Sequence, residues 1–136
     1  MATHQISLHW QNNELFHINQ NGRTLPIDGA EESISQGFRP KALILSALAG
    51  CTAIDVVEIL NKMRVTFSKF SIQVEADITD EHPKVYHTVR LIYKIELPEI
   101  DRSKMEKAVS LSQEKYCGVS AMVRKFAALE VKIDYL

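Results

Sequence analysis

The chain has 136 residues, of which 46% are hydrophobic and 24% are charged. This length and composition suit one folded domain over residues 1–136 and argue against a largely disordered chain. The formal net charge of −1, from 16 basic and 17 acidic residues, gives no electrostatic basis for binding nucleic acid or an anionic membrane.

The first residues, Met1 to Ile6, lack the basic start and apolar run of a signal peptide. The longest uncharged stretch, Ala42 to Ile54, is shorter than the roughly 20 apolar residues that a membrane helix requires. These features predict a cytoplasmic protein with no membrane partner. A permanent structural disulfide is disfavoured in that compartment, so simple buried thiols are one explanation for the two cysteines.

The first third of the chain carries the patterns of β-strands. Apolar and polar residues alternate over Gln5 to Trp10, and shorter apolar runs follow at Leu15 to Ile18 and at Thr24 to Ile27. Asn21-Gly22 predicts a tight turn between the second and third strands. Pro26 would confine the third strand to the edge of a sheet, because proline donates no ladder hydrogen bond.

A long helix is predicted from Pro40 to about Arg64, after a polar stretch from Glu31 to Arg39 that is expected to be a mobile surface loop. Apolar residues follow helical spacing and also occupy the other faces of this helix. A helix that is apolar nearly all round is normally buried on all sides. In so short a chain, this pattern predicts that a second subunit covers part of the helix.

The next segments predict an antiparallel hairpin of two long strands, Phe67 to Ile78 and Val85 to Leu97. Ser103 and Glu106 match a capping box at the start of a second helix.

Gly118 interrupts that helical pattern, which resumes over Ser120 to Ala128. Leu129 to Tyr135 alternates in the manner of a closing strand. The predicted order of elements is β-β-β, α, β-β, α, α, β.

The two cysteines lie in different settings. Cys51 is midway along the most apolar helix, among small residues that leave room for another group and that serve close helix packing equally well. Cys117 lies at the predicted break between helices. If the following helix begins near Gly118, its N-terminal amides point toward the sulfur and favour the reactive thiolate. A cysteine that only fills space at a helix end is the alternative, and sequence spacing does not show whether the thiols meet.

These segments resemble the OsmC/Ohr family, and most of all its OsmC-like branch. The resemblance rests on Arg39-Pro40 with the helix through Leu48 to Val57, on Lys115 to Met122, and on the order of elements. It implies an α+β fold in which β-sheets wrap a long buried central helix, in an intertwined homodimer with active sites at the subunit interface. No cofactor is expected, and the histidines show no spacing that predicts a metal site.

By position, the resemblance implies that Cys51 is the peroxidatic thiol and Cys117 the resolving thiol. A thiolate attacks a peroxide oxygen and becomes a sulfenic acid while an alcohol leaves. The second thiol then condenses with it to a disulfide, and an external dithiol resets the pair. An apolar wall would suit a small organic hydroperoxide, although core packing explains the same residues equally well. The wall residues are Phe38, Ile44, Leu48 and Ile54.

The sequence departs from peroxidatic members of the family at the charged groups near the reactive thiol. Those members use an arginine, and a glutamate one or two positions after the helix-starting proline, where Lys41 and Ala42 stand here. Arg39, which is included among the predicted catalytic residues, and Lys41 are possible replacement cations, and Arg23 is a weaker candidate. A solvated surface charge is the alternative for each. Asp55, one turn after Cys51, would disfavour a thiolate if it faced the sulfur.

The leading hypothesis is therefore a thiol-dependent peroxidase that acts on organic hydroperoxides in oxidative-stress defence. The alternative, motivated by the missing glutamate, is a non-catalytic member of the same fold that binds a small apolar ligand at the dimer interface. A redox-sensing interaction protein is a third interpretation. All of the redox interpretations depend on Cys51 and Cys117 sharing one pocket.

Overall fold

The computed structural model describes all residues from Met1 to Leu136, and these divide into two compact units, Met1–Ile44 and Leu45–Leu136. Helix α1, Pro40–Lys62, begins in the first unit and continues in the second. The first unit also holds strands β1 (Ser7–Asn12), β2 (Leu15–Gln20) and β3 (Arg23–Asp28). The second unit holds β4 (Ser68–Ile78), β5 (Tyr86–Glu96), α2 (Arg102–Leu111), α3 (Gly118–Val123) and β6 (Ala128–Tyr135). This order of elements confirms the predicted α+β class.

The first unit contains an antiparallel sheet with strand order β1-β2-β3. Asn21 and Gly22 have φ angles of 51° and 78°, so both residues of the predicted turn adopt the left-handed conformation that such hairpin turns require. Pro26 lies in β3, an edge strand, as predicted, and there its missing N–H costs no ladder hydrogen bond.

The segment between β3 and α1 is hydrogen-bonded to β3, which differs from the expected mobile loop. The Asp28 carboxylate accepts hydrogen bonds from the backbone N–H groups of Ala30 and Gln36, at 2.9 and 3.0 Å. Phe38 bonds to the backbone of β3 through its own N–H and C=O. Gly37 packs so closely that a Cβ there would lie 2.9 Å from the backbone of Pro26. These contacts order the approach to α1.

The second unit is built on a sheet with strand order β4-β5-β6. The β4/β5 pair is antiparallel, as predicted, whereas β6 lies parallel to β5. A parallel neighbour needs a crossover connection, which α2 and α3 supply between the two strands. Every second residue of the central strand β5, from Val89 to Ile95, is fully buried.

Helix α1 buries one face against this sheet and the later helices. Every fourth residue is fully buried: Leu48, Thr52, Val56 and Leu60. Burial of each leucine contributes roughly 1.5–3 kcal/mol to stability. The other faces of helix α1 are only partly covered, since Ile54 is 65% exposed. The single chain therefore leaves part of α1 uncovered.

By length and composition alone, α1 also meets the requirements of a membrane-crossing helix, with a mean hydropathy of 2.0 over its most apolar 18 residues. The uncharged stretch of the sequence is shorter than this helix, because Asp55, Glu58 and Lys62 lie near the C-terminal end of α1. The core helix of a soluble protein meets the same requirements. The buried residues Leu48, Val56 and Leu60 of α1 belong to the hydrophobic core.

The capping-box prediction is wrong. A 3₁₀ turn at Glu99–Asp101 leads directly into α2, so that Asp101 is the N-cap residue and Ser103 lies inside the helix. Beyond α2, a π-helical turn at Ser112–Tyr116 ends at Cys117, whose extended backbone breaks the helix. Helix α3 then begins at Gly118 and ends at Val123, earlier than its sequence pattern indicated.

Candidate functional site

Two structural elements of the second unit bring the cysteines together. Cys51 lies in α1, on the turn between the buried residues Leu48 and Thr52. Cys117 is the N-cap residue of α3, and its sulfur accepts a hydrogen bond of 3.3 Å from the backbone N–H of Ser120. The prediction that amides at the start of this helix point toward the Cys117 sulfur is therefore confirmed.

The two thiols and one carboxylate form a compact cluster. Cys51 Sγ, Cys117 Sγ and a carboxylate oxygen of Asp55 all lie within 4.8 Å of one another. Both cysteines are free thiols; Cys117 is 3% exposed and Cys51 is half-buried. Sequence alone did not show whether the thiols meet, and the fold brings their sulfur atoms within 4.8 Å of each other.

This environment raises the pKa of the Cys51 thiol above its usual range. The largest cause is burial, which disfavours the charged thiolate, followed by a hydrogen bond with Cys117. The negative charge of Asp55 acts in the same direction, while a hydrogen bond from the Val119 N–H opposes it by stabilising the thiolate. The expectation that Asp55 would disfavour a Cys51 thiolate if it faced the sulfur is therefore met.

Asp55 is held in place by a network of polar side chains inside the core. The Ser112 hydroxyl donates to Asp55 Oδ2 at 2.9 Å, and its oxygen lies 2.8 Å from the Thr52 hydroxyl. Thr52 lies 2.5 Å from the Tyr93 hydroxyl, and the amide Nε2 of Gln113 donates to both Tyr93 and Thr52 at 2.9 and 3.2 Å. These side chains lie in α1, β5 and the π-helical turn, so the network joins three elements across the core.

The groups at the two ends of this network determine which atom donates and which accepts in each of its hydrogen bonds. Arg124 donates to the Gln113 side-chain oxygen at 2.8 Å, which turns the Gln113 amide nitrogen toward Tyr93. At the other end, Ser112 uses its single proton on Asp55. Thr52 must then donate to Ser112, and Tyr93 must donate to Thr52. A chain of donors therefore runs from a guanidinium to the carboxylate beside the thiols.

Beside Asp55 lies a cleft of about 340 Å³. Its wall is mixed, with apolar side chains from α1 and α2 and charged groups at Asp55, Glu58 and Lys62. Tyr116, which precedes Cys117, also lines it and is 54% exposed. The cleft gives small molecules a route to the carboxylate that neighbours both sulfurs. The remaining apolar lining residues are Ile59, Met63 and Leu111.

The four side chains expected to form an apolar wall have different environments. Leu48 is fully buried in the core of the second unit, so a substrate contact there would require the core to open. Phe38, Ile44 and Ile54 are 51%, 41% and 65% exposed. None of the four lines the cleft beside Asp55.

Arg39, the expected activating cation, is engaged within the first unit. Its guanidinium donates to the backbone carbonyl oxygens of Asp28, at 3.0 Å, and of Ala30. It also pairs with Glu32 at 3.4 Å. These three acceptors satisfy much of the hydrogen-bonding capacity of the side chain.

Sequence reasoning missed Ser112, Gln113, Tyr93 and Arg124 as site residues. The available signal was the presence of polar residues at positions where the helical and strand patterns require burial, because a buried polar side chain needs a partner. Thr52 in the most apolar helix is the clearest case, since it lies on the face whose other members are Leu48, Val56 and Leu60.

The comparisons with known proteins agree with this fold. The sequence pattern of the OsmC-like protein family matches residues 31–132. The chain belongs to the OsmC-like family. Protein YhfA of Escherichia coli K12 is 31% identical to it over 104 residues, which cover 76% of each chain. Membership of this family supports a soluble protein.

Solved structures extend the similarity to the whole chain. A hypothetical protein from Aquifex aeolicus VF5 superposes with a TM-score of 0.87 and 25% identity, covering 100% of this chain and 98% of that one. The organic hydroperoxide resistance protein OhrB of Bacillus subtilis gives a TM-score of 0.65 at 14% identity, covering 98% of each chain. The second similarity establishes a shared fold.

Proposed function

We propose that this OsmC-like protein is a cysteine-based thiol peroxidase that reduces small organic hydroperoxides through the Cys51/Cys117 pair, in oxidative-stress defence. The observation that supports the proposal is the proximity of the two reduced sulfurs, which lie within 4.8 Å of each other. Formation of a disulfide requires the sulfurs to approach to about 2.05 Å. The organic hydroperoxide resistance protein of Bacillus subtilis shares this fold.

In the proposed reaction, the Cys51 thiolate attacks one peroxide oxygen and breaks the O–O bond. Cys51 becomes a sulfenic acid, and the leaving alkoxide takes a proton to form an alcohol. The Cys117 thiol then condenses with the sulfenic acid, which forms the disulfide and releases water. An external dithiol reduces this disulfide by exchange and is itself oxidised.

The charged groups around Cys51 predict a slow peroxidase. Burial and the Asp55 carboxylate both disfavour the thiolate, so only a small fraction of Cys51 is reactive at neutral pH. The hydrogen bond from the Val119 N–H acts in the opposite direction. Arg39 remains a proposed activating cation, and this role would require its guanidinium to leave the acceptors that it contacts within the first unit.

The cleft beside Asp55 supports an organic substrate rather than hydrogen peroxide. Ile59, Met63 and Leu111 supply apolar surface for an alkyl group. Phe38, Ile44 and Ile54 remain proposed contacts on exposed surface. Leu48 also remains a proposed contact, although it is buried in the core of the single chain.

Exposed apolar side chains support the proposed homodimer. Leu8 and Trp10 in β1 are 51% and 66% exposed, and Ile54 in α1 is 65% exposed. Apolar surface of this kind marks association sites when it is contiguous. Association of two subunits would also cover the faces of α1 that the single chain leaves exposed. We propose that this dimer is cytoplasmic. Sedimentation analysis of purified protein tests this state.

The peroxidase proposal is tested by counting thiols in purified, fully reduced protein before and after addition of cumene hydroperoxide. Wild-type protein should lose both thiols as one equivalent of alcohol forms. Cys51→Ser should abolish alcohol formation, whereas Cys117→Ser should allow one turnover and leave a Cys51 sulfenic acid that dimedone traps. Absence of thiol loss with both cumene hydroperoxide and a lipid hydroperoxide would contradict the proposal.

The raised pKa of Cys51 supports a second candidate, a non-catalytic protein that binds a small apolar ligand at a dimer interface. An inert thiol and the apolar side chains in the wall of the cleft suit binding without chemistry. Slow modification of both native thiols by a bulky alkylating reagent would support this candidate. Rapid and selective labelling of Cys51 would count against it.

A further inference from the structure

The cluster beside the cleft combines two thiols and a carboxylate, which are donors that a metal ion can use. Cys51 Sγ, Cys117 Sγ and an Asp55 oxygen lie within 4.8 Å of one another. In a tetrahedral site, sulfur lies about 2.3 Å and oxygen about 2.0–2.2 Å from Zn²⁺, so neighbouring donors are separated by roughly 3.5–4 Å. The observed set is therefore close to the geometry of a metal site, and small side-chain rotations would complete it.

The groups around these donors match the surroundings of a metal–thiolate site. The N–H groups of Val119 and Ser120 donate to the Cys51 and Cys117 sulfurs, respectively. The Ser112 hydroxyl donates a hydrogen bond to one Asp55 oxygen and so restrains the orientation of the carboxylate. Such outer hydrogen bonds orient metal ligands and stabilise their anionic forms.

A buried polar group beside the cluster is left without a partner. The Ser120 side chain is fully buried, and its hydroxyl has no hydrogen-bond partner, while the backbone N–H of the same residue donates to Cys117. A buried hydroxyl without a partner is costly. This cost falls on a residue whose backbone N–H contacts one of the sulfurs of the cluster.

We infer that the reduced protein binds one Zn²⁺ ion through Cys51, Asp55 and Cys117. Two thiolates and one carboxylate carry three negative charges, and the ion would offset two of them. Soft sulfur donors select Zn²⁺ over Mg²⁺ and Ca²⁺, which require oxygen ligands. The two thiol protons leave to solvent on binding.

Three protein ligands leave a fourth position for water, and Asp55 also lines the cleft of about 340 Å³. The cleft therefore supplies a route for the ion and space for that water. Binding requires reduced sulfurs, because a Cys51–Cys117 disulfide has no thiolate to donate. The inference rests on the reduced cluster and does not require the peroxidase reaction.

The test uses full-length reduced protein that has been treated with a chelator, desalted and kept anaerobic. Zn²⁺ is added during calorimetry, and Co²⁺ is added in parallel as a spectroscopic probe. We expect one ion per chain, with a sulfur-to-cobalt charge-transfer band. Zn²⁺ should also slow alkylation of both thiols at least tenfold.

Variants separate this site from adventitious binding at histidines. Asp55→Asn should weaken Zn²⁺ binding at least tenfold, and Cys51→Ser should abolish the charge-transfer band of a two-thiolate site. Glu114→Gln serves as the matched control, because Glu114 is an exposed acid in the turn before Cys117 but is not part of the cluster. It should bind Zn²⁺ as the wild type does. Circular dichroism confirms that each variant is folded.

Two outcomes would overturn the inference. One is Zn²⁺ binding of wild-type strength in Cys51→Ser, which would place the ion at histidines. The other is a reduced wild-type protein that binds no Zn²⁺. Because no peroxide is present, either result is independent of whether the protein turns over hydroperoxides.

Discussion

Asp55→Asn removes a negative charge beside the Cys51 sulfur while it keeps the size of the side chain and an oxygen that accepts from Ser112. The carboxylate oxygen and the sulfur lie within 4.8 Å of each other. At that upper limit, a unit charge opposes a thiolate by about 1 kcal/mol in a water-like medium and by roughly 3.5 kcal/mol at an effective dielectric constant of about 20. Because Cys51 is partly exposed, the lower figure applies.

About 1 kcal/mol corresponds to roughly a fivefold larger thiolate fraction at neutral pH. A thiolate of lower pKa is also intrinsically less nucleophilic, which cancels part of this gain. We therefore expect Asp55→Asn to accelerate alkylation of Cys51 about two- to fivefold at pH 7.

The assay measures iodoacetamide labelling of Cys51 by peptide mass spectrometry, with a chelator present, as a function of pH. The raised Cys51 pKa places the wild-type increase in rate above the usual pH range of a thiol. The profile of Asp55→Asn should shift to lower pH and meet the wild-type curve at high pH, where both thiols are ionised. Glu114→Gln controls for a general change in charge. An unshifted profile in a folded Asp55→Asn protein would refute the electrostatic role of Asp55.

Three further predictions concern stability. Tyr93→Phe leaves the Gln113 amide without one of its acceptors and should lower the free energy of unfolding by about 1–3 kcal/mol in urea titrations; an unchanged midpoint would contradict the network. Gly37→Ala places a Cβ 2.9 Å from strand backbone and should increase amide exchange across the first unit, so wild-type exchange rates would show that the close packing is unimportant. Hydrogen bonds from backbone N–H groups, chiefly that of Gln36, lower the pKa of Asp28. The stability that its carboxylate provides is therefore present above about pH 4 and is lost as pH falls through the lowered pKa; protection of the Gln36 amide that does not fall on acidification would refute this.

The order and type of the elements followed from the sequence because they depend on neighbouring residues. Alternation of apolar residues predicted the hairpin of β4 and β5, and Asn21-Gly22 predicted a turn that needs two left-handed residues. The capping-box motif failed because an upstream 3₁₀ turn already started α2, one residue before Ser103. The start of a helix in such a case depends on the position and direction of the chain where the preceding strand ends.

The candidate site was only partly predictable. The resemblance to the OsmC/Ohr family singled out Cys51 and Cys117, and the turn of a helix suggested that Asp55 follows Cys51 on a nearby face. The partners of Asp55 come from distant segments. Ser112 and Tyr93 lie on elements whose relation to α1 no local pattern specifies.

By itself, the sequence determined where strands and helices form, because hydrophobic periodicity and turn chemistry act over a few residues. Only the tertiary structure decided that β6 lies parallel to β5, that the two sulfurs and the Asp55 carboxylate lie within 4.8 Å of one another, and that a donor chain from Arg124 ends at that carboxylate. These arrangements result from packing α1, the sheet and the late helices around one core. Contacts between residues far apart in the chain depend on the combined burial of many side chains, which no single segment encodes.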